Sequence, residues 1–513
     1  MKRIINIFLT LSATFLLLAG CEDFLTLDDP NRTTVVNFWN SEKDLEQGIA
    51  AVYKMLSEES DGSYYMRTNP QLVEGRSDNY TVSTDVIGRY EIGSYVNTIS
   101  SNNSYQVWRA QYRGIFRANQ VLYYAPGMEK VDAGKRNTMI AEAKFLRGLY
   151  YFHLVNEFGS VPIRSNLAET KEDYFVERSP VEDIWKQILT DWDEAEPVLP
   201  VKWDAAYAGR ATRGAAIAFK GRAYLYQKEW NKAIAEYEKL VNNEATYGYA
   251  LMEDYFHLWD GKHRNCKESI FEVQYSRNQG EVWGGRLATS TVYAQECAGG
   301  GLVGGWEEII PTQYMLKNFT KELTVDGDFD PRALATIAWD YPGCIYYQRP
   351  FAELYEGAIG RGENPIKNRK NCNHWNLNEG DWRSDLNEIP MRYADVLLSL
   401  AEAYTMTGQV GKAVPLVNRI RSRANLVDKT DEMNGWNQDQ MMEEIRHQRN
   451  VELNREYVRF FDLRRWGILE QIIKDSQKLG WNNFRPRYEY YPIPEIELNA
   501  NHLITQNPAW QAN

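Results

Sequence analysis

Apolar positions recur at helical spacing through the first half of the chain. Leu45, Ile49, Val52 and Leu56 fall on one face, and Trp108 to Tyr124 and Ile140 to Phe158 form longer periodic runs. The second of these carries Ala143, Phe145, Leu146, Leu149, Tyr150, Phe152, His153 and Leu154, so it is apolar nearly all round. That pattern predicts a helix buried on several sides, stopped by Gly159 with Pro162 just beyond. Ser179-Pro180-Val181-Glu182-Asp183 supplies an N-cap, an early proline and first-turn acids, predicting a helix to about Ala195.

Two later segments share one spacing. Gly221, Tyr224 and Ala233 stand in the same relation as Ala401, Tyr404 and Ala413, each around a short turn. A small residue, an aromatic three later and an alanine twelve later is the pattern of a tetratricopeptide helical hairpin. The small residues let paired helices approach, and the tyrosine is expected to fill the groove between them. The reading is therefore mainly α: a tetratricopeptide-like helical-hairpin scaffold over about 40–245 and 389–470, in one domain from 21 to 513. Between about 246 and 388 the helical period fades and Gly, Asn, Asp, Trp and Tyr rise, predicting an irregular, loop-rich insertion. Residues 60–105 look similar in miniature.

The N-terminus reads as an address. Lys2 and Arg3 precede an apolar run from Ile4 to Leu18, which closes on Leu18-Ala19-Gly20-Cys21. The run is shorter than the roughly 20 residues of a membrane span and has the order of a secretory signal. The small-small-Cys ending resembles a bacterial lipobox, which implies cleavage of residues 1–20 and a lipid on Cys21. The remainder holds 56 basic against 70 acidic residues, since only Lys2 and Arg3 leave with the signal. A polyanion such as DNA is repelled by that balance. A mean hydropathy of −0.55 excludes a polytopic membrane protein.

Candidate chemistry thins out on inspection. There is no GxSxG, no HExxH and no P-loop, and the six histidines are scattered. His153 reads as a satisfied core histidine. Gly299-x-Gly301-x-x-Gly304 matches a dinucleotide fingerprint in form only, because neither strand nor helix brackets it. Asp326-Gly-Asp328-Phe-Asp330 departs from a calcium loop and reads as a turn capping a helix near Pro331. Cys266, Cys297, Cys344 and Cys372 could form two disulfides or stay buried thiols; with no CxxC, no zinc site is expected. Carboxylate pairs for glycoside hydrolysis are available among 70 acids, but nothing singles one out, so no enzyme and no cofactor is expected.

Six segments together resemble the SusD/RagB family of surface glycan-binding lipoproteins. They are Cys21-Glu-Asp-Phe-Leu; Ala143 to Gly159 with Val161-Pro162; Arg210-Ala-Thr-Arg-Gly-Ala-Ala216; Arg392-Tyr-Ala-Asp-Val-Leu-Leu398 with Ala401-Glu-Ala403; Arg449-Asn-Val-Glu-Leu453 with Arg459 to Trp466; and Tyr491-Pro-Ile-Pro494 with Asn499 and Gln506-Asn-Pro508. The resemblance implies an outer-membrane, surface-exposed, lipid-anchored protein that passes oligo- or polysaccharide to a SusC-like TonB-dependent transporter. It places the ligand on the insertion and on the loops before the third helix. Glu74, Arg76, Asp78, Asn79 and Tyr80 are the nearest match to the early polar cluster, with a capped turn joined to Arg76 by a salt bridge as the alternative for Glu74 to Asn79, and Trp283, Tyr293, Trp306, Trp339 and Trp382 are the candidate platforms. Sugars offer apolar C–H faces to such rings and hydroxyls to polar neighbours. Each tryptophan singly is more often core, so about two or three of the five platforms are expected on ligand. The alternatives are a tetratricopeptide-type assembly or peptide-binding lid without glycan affinity, and a surface glycoside hydrolase.

Overall fold

The computed structural model of the chain describes residues 38–57, 64–65, 68–277, 290–381 and 383–511. Nine helices make the scaffold: α1 (Glu42–Lys54), α2 (Asn102–Tyr124), α3 (Ala133–Phe158), α4 (Val181–Ala195), α5 (Arg213–Tyr226), α6 (Trp230–Val241), α7 (Tyr393–Met406), α8 (Val410–Arg423) and α9 (Gln438–Glu452). Neighbours pack as successive antiparallel hairpins: α2 on α3, α3 on α4, α5 on α6 and α7 on α8, with α6 against α7 and α9 beneath α7. Helix α3 is buried from Met139 to Phe158 on almost every side, as its all-round apolar pattern predicts. Gly159 ends it at φ +71°, a conformation that glycine adopts without a Cβ penalty. Pro180 itself caps α4, one residue later than the sequence reading.

Close approach in the hairpins depends on glycine. A Cβ on Gly114 would lie 2.5 Å from the Tyr150 ring, one on Gly148 2.5 Å from Trp192, and one on Gly221 2.5 Å from Tyr237. The ring seated on Gly221 is thus Tyr237 of the partner helix, whereas the expected Tyr224 is only half-buried. Ala233, Ala401 and Ala413 are fully buried in the helix contacts. His153 is the core histidine expected: its ring stacks on Tyr64 at 3.7 Å, and its nitrogens meet the Tyr65 hydroxyl and the Gln111 amide oxygen.

Short antiparallel ribbons tie the insertion to the scaffold. β1 (Tyr80–Val82) pairs with β3 (Ile309–Pro311), and β2 (Ser269–Val273) pairs with β8 (Glu388–Arg392) at the two ends of the insertion. β4 (Ile337–Trp339) pairs with β7 (Ile366–Asn368), and β5 (Ile345–Tyr346) forms a hairpin with β6 (Arg349–Pro350). The insertion buries its own apolar cluster, including Tyr293, Phe319, Trp339, Tyr346 and Phe351. Asp330 caps the short helix Pro331–Thr336, as its turn motif predicts. The four described cysteines are free thiols, with Cys297, Cys344 and Cys372 buried.

The seam between scaffold and insertion is ionic. Arg392 meets Glu268, Glu452 and Glu456 through its guanidinium. Glu452 also takes Arg332 and Arg423, Glu456 takes Lys370, and Arg332 closes on Asp330. Four cations thus face four carboxylates, and Arg392, Arg332, Lys370, Glu268 and Glu452 are fully buried. The Tyr255 ring lies under Arg392 (5.7 Å), Arg423 (5.0 Å) and Lys370 (5.8 Å), adding cation–π attraction.

Truncating the hub leaves three buried carboxylates without their shared cation. Arg392→Ala is expected to destabilise the fold by at least about 3 kcal/mol in chemical denaturation. Lys135→Ala, which removes only the exposed pair with Glu42, should leave the transition in place.

Candidate functional site

The early polar cluster is not a surface. Glu74, Arg76, Asp78, Asn79 and Tyr80 are each 0–1% exposed, and each has a hydrogen-bond partner within the protein, although Glu74 Oε2, Arg76 Nη1 and Asn79 Oδ1 are left without one. Arg76 donates to Glu157 of α3 at 2.5 Å, its guanidinium sandwiched between Phe460 (4.1 Å) and Tyr491 (4.2 Å). Asp78 accepts two bonds of 2.8 Å from Arg459. Glu74 accepts from the Tyr457 amide, Asn79 donates to Asn450, and the Tyr80 hydroxyl donates to Asn454. These five side chains anchor the segment leading into β1 to α3 and to the C-terminal part of the chain. The expectation that they line the ligand site is corrected: paired charges at this depth are structural.

Among the platforms, Trp283 and Trp382 lie outside the described residues. Tyr293 is 2% exposed beneath the Arg455 guanidinium at 4.9 Å, and Trp339 is 5% exposed against Phe329 and Tyr341. Both are core, for the reason that applies to most large rings: burial of their area stabilises more than exposure allows. Trp306 is half-buried on the outer loop. Trp375, not singled out as a platform from sequence, is the most exposed tryptophan of the described insertion, at 37%.

The loops that carry Trp306 and Trp375 are tied together. The loop from Ala298 to Trp306 folds back on itself, with Gly305 N donating to the Gly299 carbonyl and Trp306 N to that of Gln295. Its glycines are required: a Cβ on Gly299 would fall 2.2 Å from the Tyr355 hydroxyl, and one on Gly305 2.2 Å from the Ala298 carbonyl. No strand precedes this motif, since Tyr293–Cys297 is a short helix, so it is a tight loop and not a nucleotide cradle. The Val303 carbonyl accepts from Glu379 N at 2.9 Å, which joins the loop to the segment carrying Trp375. Glu379 in turn holds Asn373, at 2.7 Å to its amide, and the Tyr347 hydroxyl. Gln348 at the β5–β6 turn donates to the Trp375 carbonyl. Lys367 pairs with Glu307 on the same loop and lies 4.8 Å above the Tyr355 ring. The result is a hydrogen-bonded bed of loops carrying a half-buried Trp306 and an exposed Trp375, with Gln348 and Asn378 also exposed.

A second concavity went unnoticed in the sequence. A cleft of ≈ 1060 Å³ opens between residues 201–212, 245–249 and 264–272, lined among others by Trp203, Arg210, Tyr247, Tyr249 and Asn265. Arg210 is held by two 2.6 Å bonds to Glu142 and lies over Trp203 (4.7 Å) and Tyr207 (5.3 Å). Aromatics in the polar stretches 203–210 and 247–249 were the available signal, masked by their position inside the predicted scaffold.

Burial, not a catalytic pairing, sets the unusual titrations. Desolvation pushes the Glu74 and Glu388 carboxyls up to about 7. Raised carboxyls in a cleft suggest acid–base work, but these are 1% and 3% exposed and both are bonded to Tyr457.

The comparisons agree with the architecture. A model described as SusD family matches residues 267–510, and one described as "Starch-binding associating with outer membrane" matches residues 23–225. A SusD superfamily protein from Bacteroides vulgatus, solved as a crystal structure, is 33% identical; the match covers 92% of this chain and all of that one, with a TM-score of 0.85. "SusD-like protein P2" of Formosa agariphila is 26% identical over 98% of this chain and 99% of its own length. The "Starch-binding protein SusD" of Bacteroides thetaiotaomicron is 24% identical over 72% of each chain. The chain belongs to the SusD family.

A carboxyl whose folded pKa is raised stabilises below its unfolded value and loses that contribution as pH rises through the folded one. For Glu74 the window runs from about 4.5 to about 7. Glu74→Gln keeps the acceptor for the Tyr457 amide and cannot ionise. Its melting temperature relative to the parent is expected to rise between pH 5 and pH 8 by about 2–4 °C. Parallel curves across that range would show that Glu74 does not titrate in the window.

Proposed function

We propose that this chain is a non-catalytic, lipid-anchored lipoprotein of the outer-membrane surface, which binds neutral oligo- or polysaccharide and hands it to a SusC-like TonB-dependent transporter. Membership of the SusD family supports the nutrient-uptake setting, and the starch-binding relative supports a carbohydrate ligand. The observation that carries the reading is the insertion face, where Trp306 and Trp375 stand on the glycine-built bed between residues 298–307 and 373–379. Indoles held this way offer apolar area to a sugar face at little entropic cost, because the bed is ordered before ligand arrives. Exposed Gln348 and Asn378 supply amide groups for hydroxyls. The surplus of 70 acidic over 56 basic residues beyond position 20 favours a neutral glycan over a polyuronate. The lipid anchor is assigned to Cys21, with Glu22 and Asp23 as the acids that direct it to the cell surface.

Affinity electrophoresis and calorimetry over a panel of neutral polysaccharides test this. Trp375→Ala and Trp306→Ala are each expected to weaken binding by about tenfold or more, with unchanged circular dichroism. Loss of binding in a Trp203→Ala variant instead, with both insertion variants unaffected, moves the site to the scaffold cleft. Reducing-sugar release from the bound polysaccharide overturns the non-catalytic reading. Separately, Cys21→Ser is expected to leave the uncleaved or soluble form, seen as a shift from the detergent phase to the aqueous phase on Triton X-114 partition.

A further inference from the structure

One cluster in the insertion carries metal-ligating side chains outside the ionic seam. His257, Asp260 and His263 fall at a spacing of three along a single loop, and their ligand atoms lie within 4.8 Å of one another. The two imidazoles stack at 4.1 Å with 28° between planes, an arrangement that two protonated rings would oppose. Asp260 Oδ2 meets His263 Nδ1 at 2.7 Å, and the Asp254 carboxylate lies 3.9 Å from His257 Nε2.

The loop is built before any ligand arrives. Asp254 caps the short 3₁₀ turn Tyr255–Leu258, which delivers His257. Asp260 Oδ1 takes the amides of Lys262 (2.8 Å) and His263 (3.1 Å), which closes the turn and leaves Oδ2 toward the imidazole. Tyr255, Leu258 and Trp259 are buried in a small apolar cluster and hold the loop to the body. Gly261 reverses the chain at φ +70°, and Trp375 lies against it: a Cβ there would stand 3.6 Å from the indole. The flanking Arg264 is neutralised by Asp385 at 2.5 Å, and Lys262 is the other cation in the loop that carries the cluster. Its carboxylates, Asp254 and Asp260, bear the opposite charge.

We propose that His257, Asp260 and His263 form a binding site for a divalent transition metal of the zinc class, with Asp254 or water completing the shell. Two imidazoles and a carboxylate are a borderline nitrogen–oxygen set, suited to Zn²⁺, Ni²⁺ or Cu²⁺ and unsuited to Ca²⁺ or Mg²⁺, which take oxygen shells. A tetrahedral Zn²⁺ with ligands at about 2.0–2.1 Å sets them roughly 3.4 Å apart, so the site must contract by about an ångström. Rotation of the two half-exposed histidine side chains provides that contraction. Sequence motifs missed the site because the spacing is neither HExxH nor a cysteine pair, and the 3₁₀ turn and Gly261 are what bring the three side chains together.

Calorimetry of the untagged, chelator-treated mature chain with ZnCl₂ tests the proposal. One Zn²⁺ per chain is expected, unaffected by excess Ca²⁺. The His257→Ala/His263→Ala double variant should lose this binding with an unchanged melting curve, and Asp260→Asn should weaken it about 10–100-fold. Co²⁺ in place of Zn²⁺ should give a spectrum without a thiolate-to-metal charge-transfer band. Saturable binding that survives the double variant, a thiolate band that assigns the metal to cysteine, or no binding by the parent chain at millimolar ZnCl₂ each overturns the proposal.

Discussion

The fold rests on buried charge. Arg392 sits at the end of the strand that returns from the insertion, and Glu452 ends the helix on which the α7–α8 hairpin leans. Their pairing, extended through Glu268, Glu456, Arg332, Arg423 and Lys370, joins chain segments nearly two hundred residues apart. Desolvating so many ions is costly, and the network is sustained only because each charge has a partner and each guanidinium several acceptors. An apolar seam could slide; charges whose hydrogen bonds are directional cannot. A second set, Arg449 with Asp395 and Asp462, Arg222 with Asp395, and Arg465 with Glu402, continues the principle through the hairpin core.

Residues of this network lie in the segments by which the chain resembles its family. Arg392 and Asp395, Arg449 and Glu452, and Asp462 and Arg465 are its members, and Arg459 pairs separately with Asp78. The tail is tied in as well. Tyr491 covers Arg76 and its amide donates to the Glu157 carbonyl, while Asn507 donates to the carbonyls of Phe158 and Tyr491, and Gln506 brackets Ile493. The tail is a staple across the end of α3. Those six segments thus contain residues that hold the scaffold together, while Trp306 and Trp375 lie on loops between them.

The division of the aromatic residues follows from the same separation. Rings that pack on glycine or under arginine, such as Tyr150, Tyr237, Tyr293 and Tyr255, are internal. Trp375 is exposed and Trp306 half-buried, on loops closed by Gly299, Gly305 and Glu379. The position of Trp375 next to Gly261 and the histidine loop is a property of three dimensions alone.

The helical scaffold was legible in the sequence because helix burial is periodic: the all-round apolar run of α3, the stop at Gly159 and the paired small residues of the two hairpins are local facts. The core role of His153 and the capping role of Asp330 were legible for the same reason. The site was not. Glu74 to Tyr80 read as a polar surface cluster, and only the arrival of Arg459, Tyr457, Asn450 and Glu157 from distant segments turned it into an interior. Whether a tryptophan is platform or core depends on which segments pack over it, and that is not encoded within hydrogen-bonding distance along the chain. The sequence by itself determined the period of the helices, the charge balance and the irregularity of the insertion. Tertiary structure alone decided which charges cancel, which rings face water, and that two histidines and an aspartate meet.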